Sequence, residues 1–240
     1  MSKAVQINGF SYTYPDGTRA LSDVTLTVEH GQKVALIGPN GSGKSTLLLA
    51  IAAFAKGTGT ICLDGLHVNE KNTKKIRRLV GCCFENPDDQ LFMPTLFDDV
   101  AFGPLNMGLI SEQIKTRVSD ALRTVGLENM AERAPHHLSA GQKRSAAIAT
   151  ILAMSPKIIT LDEPDGSLDP ASRKNLVKLL RTLDQTLIIA TCNMDFAASI
   201  AQRAVLLDQG RVVAQGPARK LMCDAELMED HGLETPAKIT

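Results

Sequence analysis

The sequence predicts an α/β fold: a mixed sheet with a parallel core, an antiparallel β subdomain and an inserted α-helical subdomain. Three observations lead there. The runs "KVALIGP", "LVGCCF", "IITLDEP" and "TLIIAT" are almost continuously apolar, as strands buried on both faces of a parallel sheet are. The stretches "KSTLLLAIAAFA", "AGQKRSAAIATILAM" and "PASRKNLVKLLRTL" read as helices lying between and after those runs, and such alternation is how parallel strands are connected. From about 86 to 134 the texture turns helical with no strand-like run, which reads as an insertion.

In chain order, "AVQINGFSYTY" and "ALSDVTLTVEHG" alternate apolar and polar residues, the pattern of half-buried antiparallel strands. "KVALIGP" then gives a fully buried strand, and "KSTLLLAIAAFA" the helix that follows it. The insertion includes "MPTLFDDVAFGPLNMGLISEQIKTRVSDALRTVGLENMAERA". "RAVLLDQG" and "RVVAQG" form a hairpin turning at Gln209 and Gly210, and the tail after Gly216 is helical before fraying through "LETPAKIT". One domain is expected, with a core over 1–85 and 156–217, a helical subdomain over 86–155 and a tail over 218–240.

At 240 residues the chain can bury roughly three quarters of its unfolded surface and needs no staples to fold. Lys plus Arg equals Asp plus Glu, 26 against 26, which argues against a general nucleic-acid coat. Cys62, Cys82, Cys83, Cys192 and Cys223 form no C-x-x-C pair and have no histidine at ligand spacing. A disulfide framework or zinc site is therefore not expected, and the thiols read as free and mostly buried. His136 and His137 read as a solvated loop. No apolar run approaches the ~18 residues of a membrane span, and "MSKAVQINGF" has no signal-peptide core. A soluble, cytoplasmic protein is expected, held at a membrane only by partners.

The segment "GPNGSGKST" comprises Gly38, Pro39, Asn40, Gly41, Ser42, Gly43, Lys44, Ser45 and Thr46. It follows a buried strand and opens a helix, the context that G-x-x-x-x-G-K-[ST] requires. Glycines let successive backbone N–H groups curl round a phosphate, and the helix start adds partial positive charge. Lys44 can reach the outer phosphates, and the Ser45 hydroxyl can ligate Mg²⁺, a hard cation that takes oxygen. "IITLDEP" places Asp162 and Glu163 at the end of an apolar strand, where carboxylates are costly unless they face charge or water. Asp162 is expected to hold Mg²⁺ through its water shell and Glu163 to polarise the attacking water as a general base.

With "LSAGQ" (138–142) just upstream of "LDEP", the sequence resembles the ATP-binding-cassette ATPases, over nearly the whole chain. The resemblance implies a P-loop NTPase core binding ATP with Mg²⁺, and a head-to-tail dimer enclosing two ATP molecules. Ser139, Gly141 and Gln142 would act on the partner's ATP, Ser139 also capping its own helix. "SLD" (Ser167, Leu168 and Asp169) looks like the loop by which two such subunits touch. Tyr14 stands near where the family places an aromatic ring against adenine. "ENPDDQLFMPTLFDDVAFGPLNMGL" and "ELMEDHGLETP" are similar to stretches of energy-coupling-factor ATPases, especially those of cobalt and nickel importers. That implies transmembrane partner subunits, a second ATPase subunit of the same or a different kind, and a place on the cytoplasmic face of the membrane. Leu91, Phe92, Met93, Leu96 and Phe97, beside Asp88 and Asp89, then suit either a groove for a membrane subunit or the helical subdomain's own core.

The sequence departs from the family at several positions. Cys192 stands where most relatives have a histidine that hydrogen-bonds the γ-phosphate, and a thiol with a pKa near ~8.5 is a weak, mostly protonated donor. Asn193 replaces the aspartate that commonly follows. Glu85 stands for a glutamine that contacts Mg²⁺ and the attacking water; it keeps an oxygen for the metal, loses the amide donor and adds negative charge. Ala140 replaces a glycine and Asp165 a threonine. Three readings follow: a slow ATPase, a weak site paired with a competent partner, or a variant loop compensated elsewhere. The leading function is the energising subunit of an importer. A nucleotide-gated scaffold, or a soluble cassette of DNA repair or translation, are the alternatives; the neutral charge gives the last no phosphate-tracking surface.

Overall fold

The computed structural model describes residues 3–237; Met1, Ser2 and the last three residues of "LETPAKIT" lie outside the described residues. Two sheets form the framework. In the first, β1 (Lys3–Thr13) and β2 (Arg19–Glu29) pair antiparallel. Their inward positions Val5, Ile7, Phe10, Leu21, Val24, Leu26 and Val28 are all buried, which the alternation predicted. In the second, β3 (Lys33–Ile37) is buried at every residue and leads into α1 (Lys44–Ile51).

The region before the run "LVGCCF", which shows no clear period in the sequence, supplies β4 (Thr58–Leu63), β5 (Leu66–His67) and α2 (Thr73–Leu79), the helix taking the Leu79 expected in the strand. β4 pairs antiparallel with β1 and β5 with β4, giving the order β2-β1-β4-β5. β4 shows little pattern because only Ile61 and Leu63 of its six residues are buried; Thr58, Gly59, Thr60 and Cys62 fill the rest.

β6 (Val80–Cys83) begins the far edge of the second sheet. The helical subdomain follows as α3 (Leu96–Asn106), α4 (Ser111–Val125) and α5 (Ala140–Leu152). Thr95 caps α3 by accepting from the Asp98 N–H at 3.1 Å, as short hydroxyl side chains do at helix starts. Ile114, Val118, Ala121 and Leu122 form one stripe of α4 that packs on Leu96, Val100, Ala146 and Ala149. This places Leu91 and Leu96 in the subdomain's own core, with Phe97 packed against it. Of the five apolar residues in question Phe92 is the one that is exposed, and Met93 is half-buried.

The chain then returns through β7 (Ile158–Asp162), α6 (Pro170–Thr182), β8 (Thr186–Ala190), α7 (Met194–Ile200), β9 (Arg203–Asp208) and β10 (Arg211–Pro217). Two short tail helices follow, α8 (Ala218–Met222) and α9 (Ala225–Asp230). The second sheet runs β10-β9-β3-β8-β7-β6. It is parallel from β9 to β6, and only the β9–β10 hairpin is antiparallel. Among the described residues no helix is long and apolar enough to cross a membrane.

Candidate active site

Parallel register fixes the site. Leu36 of β3 pairs with Ala190 of β8, Ala190 with Asp162 of β7, and Leu161 of β7 with Cys83 of β6. The carboxyl ends of four neighbouring strands therefore stop at one level, and their loops carry 38–46, 191–193, 162–165 and 84–86 side by side. Open α/β sheets bind ligands at such ends. Cys192 lies between the phosphate loop and Glu163 because β8 lies between β3 and β7.

The 38–46 loop turns where only glycine fits. A Cβ on Gly38 (φ 150°) would lie 2.0 Å from the Leu207 carbonyl oxygen, and one on Gly43 (φ 103°) 2.6 Å from that of Ala20. Gly43 also enters α1 in the left-handed region, which aims the helix start back over the loop. Lys44 is 6% exposed. Its Nζ donates to the carbonyls of Gly38 at 2.8 Å and Pro39 at 3.0 Å. The nearest carboxylate, Glu163 Oε1, is 4.0 Å away. The Ser42 hydroxyl is buried with no hydrogen-bond partner. A buried ammonium with only a distant counter-charge, beside an orphaned hydroxyl, fits a polyanion.

Across the loop, the Ser45 hydroxyl donates to Asp162 Oδ1 at 3.0 Å. Burial raises the Asp162 carboxyl above its ordinary value; Ser45 and Lys44 pull it back, and Glu85 pushes it further up. A hydroxyl and a carboxylate, both hard oxygen donors, suit Mg²⁺. Among the described residues no group of three or more His, Cys, Asp or Glu side chains is placed to hold a metal ion, so water and phosphate oxygens would complete the shell.

Glu163 stands at φ 39°, a conformation a non-glycine residue holds at a cost of about 1–3 kcal/mol and one that concentrates at functional sites. Its Oε2 accepts from the Cys192 N–H at 3.2 Å, with the Cys192 thiol at 3.7 Å. Burial raises this carboxyl too, opposed by the Cys192 N–H and Lys44. The Cys192 thiol is itself raised by burial and by the Glu163 charge, so it remains protonated.

Cys192 and Cys223 are exposed, which corrects the expectation that the thiols are mostly buried. Burial does push Cys82 up to about 11 and also raises Cys83. Glu85 is exposed, and its backbone carbonyl accepts from Arg144.

Ser139 caps α5: its Oγ accepts from the Gln142 N–H at 3.3 Å, while Gln142 Oε1 accepts from the Ser139 N–H at 2.9 Å. Ala140 and Lys143 of this helix start line a cleft of about 820 Å³ together with Glu85, Asp162 and Ser167. Gly141 fits tightly, since a Cβ there would lie 2.5 Å from the Ser172 hydroxyl. In the 167–169 loop, Ser167 is exposed at φ 58°. Leu168 is buried in its own chain's core, and Asp169 caps α6 through the N–H groups of Ala171 and Ser172. Tyr14 is 37% exposed, and its hydroxyl lies 2.9 Å from that of Thr46, so the ring stands beside the phosphate loop. His136 and His137 are exposed.

Sequence reasoning missed Arg144, which is 3% exposed and donates to the carbonyl of Phe84 at 2.7 Å as well as to that of Glu85. It ties the helical subdomain to the Glu85 loop. Its signal was present: helical spacing puts Arg144 on the stripe of Ala147, Ile148 and Ile151, where a cation must find carbonyls.

Residues 21–166 match the family model described as ABC transporter. The chain is 46% identical over 234 residues, 97% of its length and 90% of the relative's, to an ABC transporter ATP-binding protein of Streptomyces coelicolor. It is 42% identical over 240 residues, 98% of its length and 88% of the relative's, to the energy-coupling factor transporter ATP-binding protein EcfA of Carboxydothermus hydrogenoformans. Among solved structures it is similar to cbiO1 from Clostridium perfringens, with TM-score 0.85 and 34% identity over 96% of this chain and 94% of that one. A dimeric ATP-binding cassette in a post-hydrolysis state with ADP and Pi gives TM-score 0.79 and 29% identity over 89% of this chain and 98% of that one. The chain therefore belongs to the ABC transporter family, as an ATP-binding ATPase subunit similar to those of energy-coupling factor transporters.

Proposed function

We propose that this ATPase subunit energises a membrane importer of the energy-coupling-factor type, for cobalt or nickel ions or a vitamin. The observation behind the cargo class is the likeness to cbiO1, which is part of the ABC transporter complex cbiONQ, together with the "ENPDDQLFMPTLFDDVAFGPLNMGL" stretch. Loss of the protein in its host is expected to lower cobalt or nickel uptake at least several-fold. Unchanged metal uptake alongside a vitamin requirement would move the cargo to the vitamin.

In this reading the 38–46 amides and Lys44 hold the triphosphate, Tyr14 supports the adenine, and Ser45, Asp162 and Glu85 hold Mg²⁺. Bound there, Mg²⁺ supplies Lewis-acid charge to the phosphate oxygens. Glu163 takes the proton of the attacking water. Ser139, Gly141 and Gln142 serve the nucleotide of a second ATPase subunit, which Ser167 and Asp169 touch. The protein sits at the cytoplasmic face of the membrane through its partners and does not bind nucleic acid.

The docking face for a membrane subunit is the exposed apolar surface where α3 meets the sheet edge. Phe92 and Phe102 pack edge to face at 5.1 Å, Phe54 lies under Arg77 at 4.8 Å, and Phe54, Phe92 and Phe102 are 51%, 62% and 41% exposed. An apolar patch of this kind marks an interaction site. Phe92→Asp with Phe102→Asp is expected to abolish co-purification with the membrane subunits, leaving ATP binding by the separate protein unchanged. Retained co-purification would remove this face from the reading.

A specific observation favours a second reading, a slow site paired with a competent subunit. Cys192 presents to Glu163 a thiol that is a weak donor, and Glu85 adds negative charge beside Asp162. Loss of one positioned phosphate contact lowers rates by about 10²–10³-fold. Cys192→His combined with Glu85→Gln is therefore expected to raise single-turnover hydrolysis about tenfold or more. A fast unmodified protein, or no gain in the variant, would show that the loop is compensated.

A further inference from the structure

Two departures from the family sequence, Asp165 and Asn193, meet in this structure. Asp165 is 4% exposed. Its Oδ1 accepts from the Thr191 hydroxyl at 3.0 Å and its Oδ2 from Asn193 Nδ2 at 2.8 Å. Arg173 Nε, from α6, lies 3.9 Å from the same Oδ2. The amide of Asn193 has a fixed orientation, because its Oδ1 accepts from the Phe196 N–H at 3.0 Å to cap α7. Thr191 Oγ1 also accepts from the Asn193 N–H at 3.0 Å, which leaves its proton for Asp165.

These bonds bracket the catalytic loops. Asp165 lies two residues beyond Glu163, and Thr191 and Asn193 flank Cys192. The link between the loops closer to the nucleotide is the Cys192 N–H on Glu163 at 3.2 Å, with a thiol at 3.7 Å that donates weakly. Asp165 thus adds two hydrogen bonds on the buried side to the Cys192–Glu163 link and to the Glu163 N–H that donates to the Ala190 carbonyl at 2.9 Å.

We infer that Asp165, Thr191 and Asn193 form a clamp that positions Glu163 against Cys192 for hydrolysis, with Asp165 and Asn193 acting as a matched carboxylate–amide pair. It rests on the assignment of Glu163 as the base. The pairing has a polarity. Asn193→Asp sets two carboxylates where a 2.8 Å hydrogen bond now stands, and like charges so placed repel. Asp165→Asn is milder, since an amide can still accept from Asn193 and donate to the Thr191 oxygen. The two changes together exchange carboxylate and amide and restore the side-chain hydrogen bonds, the new carboxylate still capping α7, while Arg173 loses the carboxylate 3.9 Å from its Nε.

The test compares four full-length proteins: unmodified, Asn193→Asp, Asp165→Asn and the double exchange. Each is measured for kcat and KM with Mg-ATP in single-turnover and steady-state assays, and for the alkylation rate of Cys192 by iodoacetamide, followed on its own peptide. Asn193→Asp is expected to lower kcat about tenfold or more, because a slightly misplaced base loses most of its advantage. Its KM stays within about twofold, since the clamp does not touch the phosphate loop. Cys192 alkylates several-fold faster as its loop loosens. Asp165→Asn loses less, and the double exchange returns both kcat and alkylation to within about threefold of the unmodified protein.

Unchanged kcat and alkylation in Asn193→Asp, or a double exchange no better than Asn193→Asp, would overturn the clamp. If Asn193→Asp fails to fold, the double exchange decides alone: recovery of folded protein with normal Cys192 alkylation supports the pairing, and failure overturns it. Glu163→Gln separates the two levels. Full hydrolysis in that variant would refute the base assignment, while the alkylation series would still report on the clamp.

Discussion

Glu163→Gln is expected to reduce ATP hydrolysis by about 10²–10⁴-fold while ATP still binds. The side chain sits at the end of β7, accepts from the Cys192 N–H and lies 4.0 Å from Lys44 Nζ. Glutamine keeps the shape and can still accept that N–H bond, but it cannot take a proton from water. The phosphate contacts do not involve residue 163, so affinity survives and chemistry alone is lost. A second readout follows from linkage. Burial raises the Glu163 carboxyl, so folding favours its protonated form. At neutral pH the ionised form therefore costs stability, which is recovered as pH falls through the raised folded value. The uncharged amide removes that cost, and Glu163→Gln is expected to melt at or above the unmodified protein in the absence of nucleotide. Hydrolysis at the unmodified rate would remove Glu163 as the general base.

The parts of this molecule most legible in the sequence are those whose physics is local or periodic. "GPNGSGKST" announces its loop because the φ of Gly38 and Gly43 and their contacts with Leu207 and Ala20 admit no side chain. β3, β7 and β8 announce themselves because burial on both faces demands unbroken apolar runs. What escaped was whatever depends on a distant partner. β4 shows little pattern of its own and exists through pairing with β1. Arg144 reads as one more cation of "GQKR" until the Phe84 and Glu85 carbonyls are seen beside it. Asp165 and Asn193 look like two separate lapses from a family pattern; only the β7–β8 register brings them together and turns them into one compensated exchange. Leu91 and Leu96 were ambiguous because an apolar helix start suits a core and an interface equally. Contact with Val118 and Leu122 decided for the core.

Lys44→Ala is expected to weaken ATP binding by about 10²-fold or more, because truncating a buried, hydrogen-bonded charge typically costs about 2–5 kcal/mol. Calorimetry measures this directly, and thermal shift shows it through linkage. At a nucleotide concentration 100 times the dissociation constant, binding stabilises the folded protein by about 2.7 kcal/mol; a hundredfold weaker site at the same concentration leaves about 0.4 kcal/mol. The ATP-dependent rise in Tm should therefore nearly vanish. The nucleotide-free Tm tells this apart from damage to the loop. Lys44 donates to the carbonyls of Gly38 and Pro39, and alanine leaves both without that donor, so a small decrease is expected there. Gly38 is held independently by its packing against Leu207, and Ser42 N donates to the Pro39 carbonyl at 3.2 Å, so the loop keeps its path. A variant that retains the full ATP-dependent rise in Tm would mean that the 38–46 amides grip the phosphates without their lysine. Arg144, which is 3% exposed and also pulls the Asp162 carboxyl down, would then supply positive charge to the site in place of the lysine.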